Sequence, residues 1–328
     1  MTLDLGGQRV LVTGAAGFIG SHLVERLLSA GARVRAFVHY NSSNSIGHLQ
    51  DIRQGQIEIY KGDLRDPHAV LNAHQNIDTV FHLGALIAIP YSYQCPTDVV
   101  HTNALGTLNV AQAALACGIK RVIHTSTSEV YGTAHYVPMD ERHPLQGQSP
   151  YSASKIAADK IMESFHRAYG LPVVTVRPFN AYGPRQSQRA VIATIIQQAL
   201  YASEIQLGNL HATRDFTFVE DTAFGFMLAA QSDAAIGSVF NLGSGYEISI
   251  VDLAAKILQV VGRDIPVCST TERLRPEKSE VDRLCSDSAW ARQTIGWNPQ
   301  VTLDEGLVRT VAWMAQGNAS ARSSDYVL

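Results

Sequence analysis

Short β-branched runs alternate with longer amphipathic stretches through the first half of the chain. RVLVTG (9–14), RVRAFVH (33–39), IEIYKGD (57–63), TVFHLGA (79–85), RVIHTST (121–127) and PVVTVRP (172–178) have the length and residue choice of buried strands. Apolar positions recur at helical spacing over 18–30, 66–74, 98–117 and 150–169, and later over 189–202, 220–231, 249–262 and 303–316. Gly31, Gly118 and Gly170 follow three of these stretches, where C-terminal caps belong. Strands alternating with helices in this way predict an α/β protein with a doubly wound parallel sheet.

Beyond Pro178 the alternation loosens, and Pro, Arg and Gly gather in NAYGPRQSQR and LRPEKSEVDR. The shift predicts a second, smaller C-terminal domain. One later run, GSVFNLGSG (237–245), has a buried-strand pattern able to rejoin the first sheet. The expected organisation is therefore discontinuous, with 1–177 plus about 216–245 in one domain and about 178–215 with 246–328 in the other. No internal repeat is present, and the polar segment NASARSSD is expected to be mobile.

Composition narrows the function classes. A chain of 328 residues with 46% hydrophobic and 17% charged residues can bury a large core. The net charge of −3, with no long run of either sign, gives no electrostatic footprint for nucleic acid or a membrane surface. Cys95, Cys117, Cys268 and Cys285 are scattered without CxxC spacing, which argues against a disulfide framework or zinc site and for a cytoplasmic location. The opening MTLDLGGQRVLVTG reads as a first strand, not a signal peptide. The stretch 99–119 lacks formal charge but holds His101, Asn103, Asn109 and Gln112, so it is expected as a buried helix and not a membrane span. The twelve histidines show no metal-ligand spacing; His82, His101 and His124 are expected in the core, and no metal is expected.

Candidate chemistry starts in VLVTGAAGFIGSHLVERLL. Gly14, Gly17 and Gly20 lie between the first strand and the first helix, where they permit a tight turn and leave the helix N–H groups facing a diphosphate. Phe18 and Ile19 open that helix, and the arrangement predicts a Rossmann-like dinucleotide site. NAD would call for an acid at the end of the second strand, but His39, Asn41, Ser42 and Ser43 stand there. These side chains tolerate a 2′-phosphate, which leans the choice towards NADP and leaves NAD open. Asp63 with Leu64, and Leu83 with Ala85, are the expected contacts at the ends of the third and fourth strands; Asp63 could instead cap the following helix.

Tyr151 and Lys155 in SPYSASKIAADK are four apart, so one helical turn places them on the same face. An ammonium beside a phenol lowers the phenol's pKa, and the phenolate can take a proton from a sugar hydroxyl as hydride leaves its carbon. TGAAGFIG, FHLGA, the N-x-x-G-T of Asn103 to Thr107, TSTSEVYG, YSASK, RPFNAYGP and TRDFTFVEDT together resemble, in order, the extended short-chain dehydrogenase/reductases that act on nucleotide sugars. That resemblance implies tightly bound NAD(P)+ and a nucleotide-sugar substrate. It also implies that Thr127 polarises the C4 oxygen, Tyr151 accepts the proton and Lys155 holds the nicotinamide ribose.

The run Thr127-Ser128-Glu129 resembles the family's 4,6-dehydratases, GDP-mannose dehydratases among them, because an epimerase needs no carboxylate there. By that resemblance Glu129 removes the C5 proton and Ser128 relays or orients a proton for the departing water. UDP-glucuronate decarboxylases share TSEVYG, but the loop AIPYSYQCP (88–96) offers no clear cation for a substrate carboxylate, which leaves decarboxylase second. The wording of FVHYNSSNS and HLGALIAIPYSY resembles dehydratases of legionaminic-acid-type pathways acting on GDP- or UDP-linked N-acetylglucosamine.

The same resemblance assigns Asn180, Arg214 and Arg275 to the diphosphate and the segment around Gln206 to the base and ribose. Surface ion pairs with Asp215 and Glu277 are the alternative for the two arginines, with Arg185 and Arg189 ranked lower as diphosphate ligands. It further implies a homodimer through helices 98–117 and 150–169. A non-catalytic NAD(P)-binding sensor is the contrary reading; such proteins lose the tyrosine or lysine, and both are present.

Overall fold

The computed structural model describes residues 5–50, 52 and 55–318, so all but the first residue of NASARSSD lies outside the described residues. The first half runs β1 (Arg9–Thr13), α1 (Phe18–Ser29), β2 (Arg33–His39), β3 (Ile57–Gly62), α2 (Pro67–His74), β4 (Thr79–His82), α3 (Ile89–Gln94), α4 (Pro96–Val100), α5 (Gly106–Ala116), β5 (Arg121–Thr125), α6 (Pro150–Tyr169) and β6 (Val173–Pro178). The second half adds β7 (Asn180–Tyr182), α7 (Val191–Tyr201), β8 (Ile205–Leu207), β9 (Thr213–Phe218), α8 (Val219–Gln231), β10 (Val239–Leu242), β11 (Glu247–Ser249), α9 (Ile250–Val261), β12 (Val267–Ser269), α10 (Ala289–Ile295) and α11 (Leu303–Trp313).

Seven parallel strands form the large sheet, in the order β10-β6-β5-β4-β1-β2-β3. This is the doubly wound α/β architecture, and β10 rejoins the sheet beside β6 as its pattern indicates. Helices cover both faces, which is why β4, β5 and β6 are buried almost throughout. Leu23, Leu27, Phe226, Phe240 and Trp297 fill one side; Leu11, Val80, Val110 and Met162 fill the other. A separate core of Tyr182, Ile192, Ile196, Phe216, Leu253, Ile257 and Leu307 packs α7, α9 and α11 on the three-stranded sheet β11-β9-β7.

The strand order reverses between β1 and β4. Loops leaving a sheet at such a point diverge and open a crevice at the carboxyl ends of the strands.

α6 follows from its own local chemistry. Ser149 and Ser152 form a reciprocal capping box, Pro150 occupies the first turn, and Gly170 ends the helix in the left-handed region at φ 70°. The uncharged stretch 99–119 differs from its expectation. It is α4, a π-helical segment at His101–Leu105 and α5, and only one face is buried. Val99, Asn103, Thr107 and Val110 face inward, while His101 is exposed and Val100 and Leu105 are 43% and 41% exposed. His82 and His124 are in the core as expected; His101 is not, because it sits on the outer side of the π-helical segment.

Trp297 is fully buried and its indole N–H donates to the Asp221 carbonyl at 2.9 Å. Trp297→Ala is expected to remove about 3–5 kcal/mol of stability, measured by urea unfolding followed by circular dichroism.

Candidate active site

The glycine loop is a cradle that side chains would fill. Gly14 has φ 68°, and a Cβ there would lie 2.8 Å from the Gly84 nitrogen and 2.9 Å from the Leu83 carbonyl carbon. A Cβ on Gly20 would collide with the Gly14 carbonyl oxygen. Gly17 caps α1 with no side-chain hydrogen bond, so the first-turn N–H groups of Phe18, Ile19 and Gly20 lack a side-chain partner. Such a terminus beside two close-packed loops suits a diphosphate, and these residues therefore fit a dinucleotide.

Around the loop, the Thr13 hydroxyl accepts from Gly84 N at 3.0 Å and bonds His82 Nδ1 at 2.8 Å. Leu64 is buried against Gly84 and Gly106, while Leu83 and Ala85 are partly exposed on the crevice side. Asn103 ties Leu86, through both its N–H and its carbonyl, to Ser154 of α6.

At the end of β2, His39 is exposed with Nδ1 3.9 Å from Asp63 Oδ2. The Asn41 side-chain oxygen closes its own loop by accepting from Ser45 N at 3.0 Å and Ser43 Oγ at 2.6 Å; Ser42 is exposed beside it. Lys61 of β3 donates to the Asn44 carbonyl at 3.2 Å, which brings a cation to this loop. The sequence reading passed over Lys61; its place beside β2 was the available signal. Asp63 is gripped by Arg65 at 2.6 Å, and that guanidinium holds the carboxyl below its ordinary range. Helix capping falls to Asp66, which accepts from His68 N and Ala69 N, so the capping alternative for Asp63 is corrected. Arg35 lies away from the crevice, donating to the carbonyls of Ala73 and Gln75.

Thr127, Glu129, Tyr151 and Lys155 meet at the ends of β5 and α6. Thr127 caps the 3₁₀ turn Ser128–Tyr131, and its hydroxyl also hydrogen-bonds the Tyr151 phenol. Burial pushes that phenol well above its ordinary range; the Thr127 bond pulls it back in part. Lys155 Nζ donates to the Thr125 carbonyl at 2.7 Å, and burial pushes the ammonium down to about 8. Ser128 is 2% exposed, turned into the protein beside them.

Glu129 sits in the field of Tyr151 on one side, and on the other its Oε2 is 3.9 Å from Arg275 Nη1, a buried nitrogen without a hydrogen-bond partner. Arg214 joins the same group, with Nη2 3.3 Å from Glu280 Oε1. The surface partners suggested by the sequence are therefore replaced: Glu280 and Glu129 face the arginines, not Asp215 and Glu277. Asp215 instead accepts from Ser244 N, Gly245 N and Ser286 N at 2.8–3.0 Å. Asn180 donates to the Asp215 carbonyl at 3.3 Å. Gln206 stands apart, exposed on β8 with its amide on Glu204 at 2.7 Å. Arg185 is turned to Glu25 of α1 at 2.7 Å.

A hydroxyl, a phenol and a carboxylate thus share one crevice with two arginines and a lysine, a set able to move protons on a bound anion. Beneath it lies a buried polar group, Asp159 with His124 and Arg177, that the sequence reading missed although Asp159 is one turn past Lys155. Among the described residues no cluster of three or more His, Cys, Asp or Glu could hold a metal, and no helix is long and apolar enough to cross a membrane.

The family model for GDP-mannose 4,6 dehydratase matches residues 11–310. UDP-glucose 4-epimerase of Mycolicibacterium smegmatis is 36% identical over 311 residues, covering 93% of this chain and 97% of that one. dTDP-glucose 4,6-dehydratase of Streptomyces antibioticus is 31% identical over 320 residues, covering 95% and 94%. The dTDP-glucose 4,6-dehydratase of Streptomyces venezuelae, solved with NAD and TYD bound, superposes with a TM-score of 0.86 at 29% identity, covering 94% of this chain and 97% of that one. Matched over residues 11–310 by the family model and over more than nine-tenths of its length by these relatives, the chain belongs with them, in the GDP-mannose 4,6-dehydratase family of the extended short-chain dehydrogenase/reductase nucleotide-sugar dehydratases and epimerases.

Proposed function

We propose that the protein is an NAD(P)-dependent nucleotide-sugar 4,6-dehydratase acting on GDP- or UDP-linked N-acetylglucosamine. Glu129 carries the reading, since it is held between Tyr151 and Arg275 where oxidation at C4 alone has no use for a carboxylate. When bound, the nicotinamide supplies an acceptor that takes hydride from C4 and gives it back at C6. Thr127 polarises the C4 oxygen, and Tyr151, supported by the Lys155 ammonium, takes the O4 proton. Glu129 removes the C5 proton that the C4 ketone acidifies. The C6 hydroxyl leaves as water with a proton that Ser128 orients and Glu129 gives up, and C5 regains one proton from solvent. The product is a 4-keto-6-deoxy sugar nucleotide. Asn180, Arg214 and Arg275 hold the diphosphate, and the chain around Gln206 lines the base and ribose.

Two observations keep other outcomes in view. The 36% identical relative is named a 4-epimerase. Arg275 also supplies, 3.9 Å from Glu129, a cation that the loop 88–96 lacks and that a decarboxylase would need for a uronate. When purified protein is incubated in heavy water with GDP- and UDP-N-acetylglucosamine, GDP-mannose and UDP-glucuronate, one of the two N-acetylglucosamine nucleotides is expected to lose water and gain one deuterium at C5, by mass spectrometry. Glu129→Gln is expected to abolish that product. Loss of carbon dioxide from UDP-glucuronate, or an unchanged mass with a new C4 epimer, would replace the dehydratase reading.

The end of β2 bears no acid and Lys61 reaches its loop, so cofactor released from heat-denatured protein is expected to contain more NADP than NAD by liquid chromatography. The exposed apolar strip of Val100 and Leu105, beside the small exposed Ala153 and Ala157 of α6, supports a homodimer through these helices. Mass photometry is expected to show twice the chain mass, and Leu105→Arg to shift it to the monomer.

A further inference from the structure

Asp159 is 4% exposed and follows Lys155 by one turn of α6. Four donors converge on its carboxylate: His124 Nε2 at 3.0 Å, Ser126 Oγ at 2.8 Å, and Arg177 Nε and Nη2 at 3.2 and 2.9 Å. Lys155 meanwhile donates to the carbonyl of Thr125, the residue between His124 and Ser126. The helix and the end of β5 are laced together over three consecutive residues. Arg177 passes its Nη1 to the Tyr131 hydroxyl at 2.9 Å, and Tyr131 donates to Asn241 Oδ1 at 2.7 Å. Burying an ion costs several kcal/mol unless it is paired, so three charges placed under a sheet call for a purpose beyond stability.

The titratable groups around Lys155 are Tyr151 and Asp159, one turn to either side on its own helix, His124 on β5 and His82 on β4, with Arg177 of β6 beyond Asp159 and Glu129 beyond Tyr151. Burial lowers both histidines and keeps them neutral near pH 7; His82 is further fixed between the hydroxyls of Thr13 and Thr107. Arg177 is already committed to Asp159 and Tyr131. Of all these groups, only Asp159 favours the charged form of Lys155 against burial.

We propose that Asp159 is a positioning residue for the catalytic pair: its carboxylate keeps the buried Lys155 ammonium charged and aimed at the crevice, so that Tyr151 has a cation beside it when it accepts a proton. This rests on the reading of Tyr151 and Lys155 as the proton-accepting pair. Loss of the carboxylate lowers the pKa of Lys155, and the alkaline limit of the reaction moves down with it. Tyr151, which also feels Asp159, moves the same way and does not compensate.

The chain has six lysines, so ¹⁵N-lysine NMR can follow the Lys155 titration directly, assigned with Lys155→Arg. In Asp159→Asn the midpoint is expected to fall by about one pH unit or more, and the alkaline limb of kcat to fall with it. Asp159→Glu is expected to return both towards wild type. The double variant Asp159→Asn/Arg177→Met leaves no unpaired guanidinium behind, and it is expected to fold and show a fall in the same direction even if the single variant does not. An unchanged Lys155 midpoint in the double variant would overturn the proposal and leave Asp159 a merely structural residue. A lowered midpoint with an unmoved kcat limb would uphold the Asp159–Lys155 coupling and overturn the catalytic reading of Lys155.

Discussion

The close approach of two loops at the reversal of the sheet governs the rest of the molecule. Gly14 and Gly84 come together so tightly that neither loop has room for a Cβ on the Gly14 side, and Thr13 fastens the contact through the Gly84 N–H. Because the loops leave β1 and β4 in opposite directions from there, the crevice opens at one place along the carboxyl edge of the sheet. The glycine cradle occupies one wall, and the ends of β5 and α6 form the other. A side chain at Gly14 would push the two central strands apart at the point from which both walls are hung.

The chemistry on the second wall depends on charges sunk behind it. Tyr151 and Lys155 are both buried, which by itself drives each towards its neutral form. A neutral phenol and a neutral amine would be poor proton handlers. Thr127 works against that tendency at the phenol by hydrogen bonding, and Asp159 works against it at the ammonium by charge. The arginines across the crevice face Glu129 in the same spirit, with Arg275 carrying an N–H that no protein acceptor satisfies.

Periodicity made the large sheet legible. The six leading strands fall within three residues of their runs, β2 with no offset, and α6 spans the stretch predicted for it, because its cap, its proline and its terminal glycine are all local signals. Residues 101–105 were not legible as a π-helical segment, since the sequence there has helical spacing and no breaker. Strands of three residues such as β7, β8, β11 and β12 are too short to show a period, and their pairing comes from distant partners. The cluster of Thr127, Glu129, Tyr151 and Lys155 could be named from motifs, but the partners of Arg214 and Arg275 could not. Sequence neighbours suggest Asp215 and Glu277, whereas the fold brings in Glu280 and, from the far side of the chain, Glu129. Asp159 was visible in spacing; its meaning was not, because Arg177 and His124 reach it from other strands.

The return of β10 to the edge of the large sheet has a mechanical outcome. The chain leaves that sheet after β6, builds β7, α7, β8 and β9 elsewhere, comes back through α8 and β10, and leaves again into β11 and α9. Trp297 then returns once more to the core beside Phe226. The smaller sheet is therefore stitched to the larger by repeated crossings and not hung from it by a single tether. Unravelling either half strips a strand or a core side chain from the other, so the two should melt together as one cooperative unit.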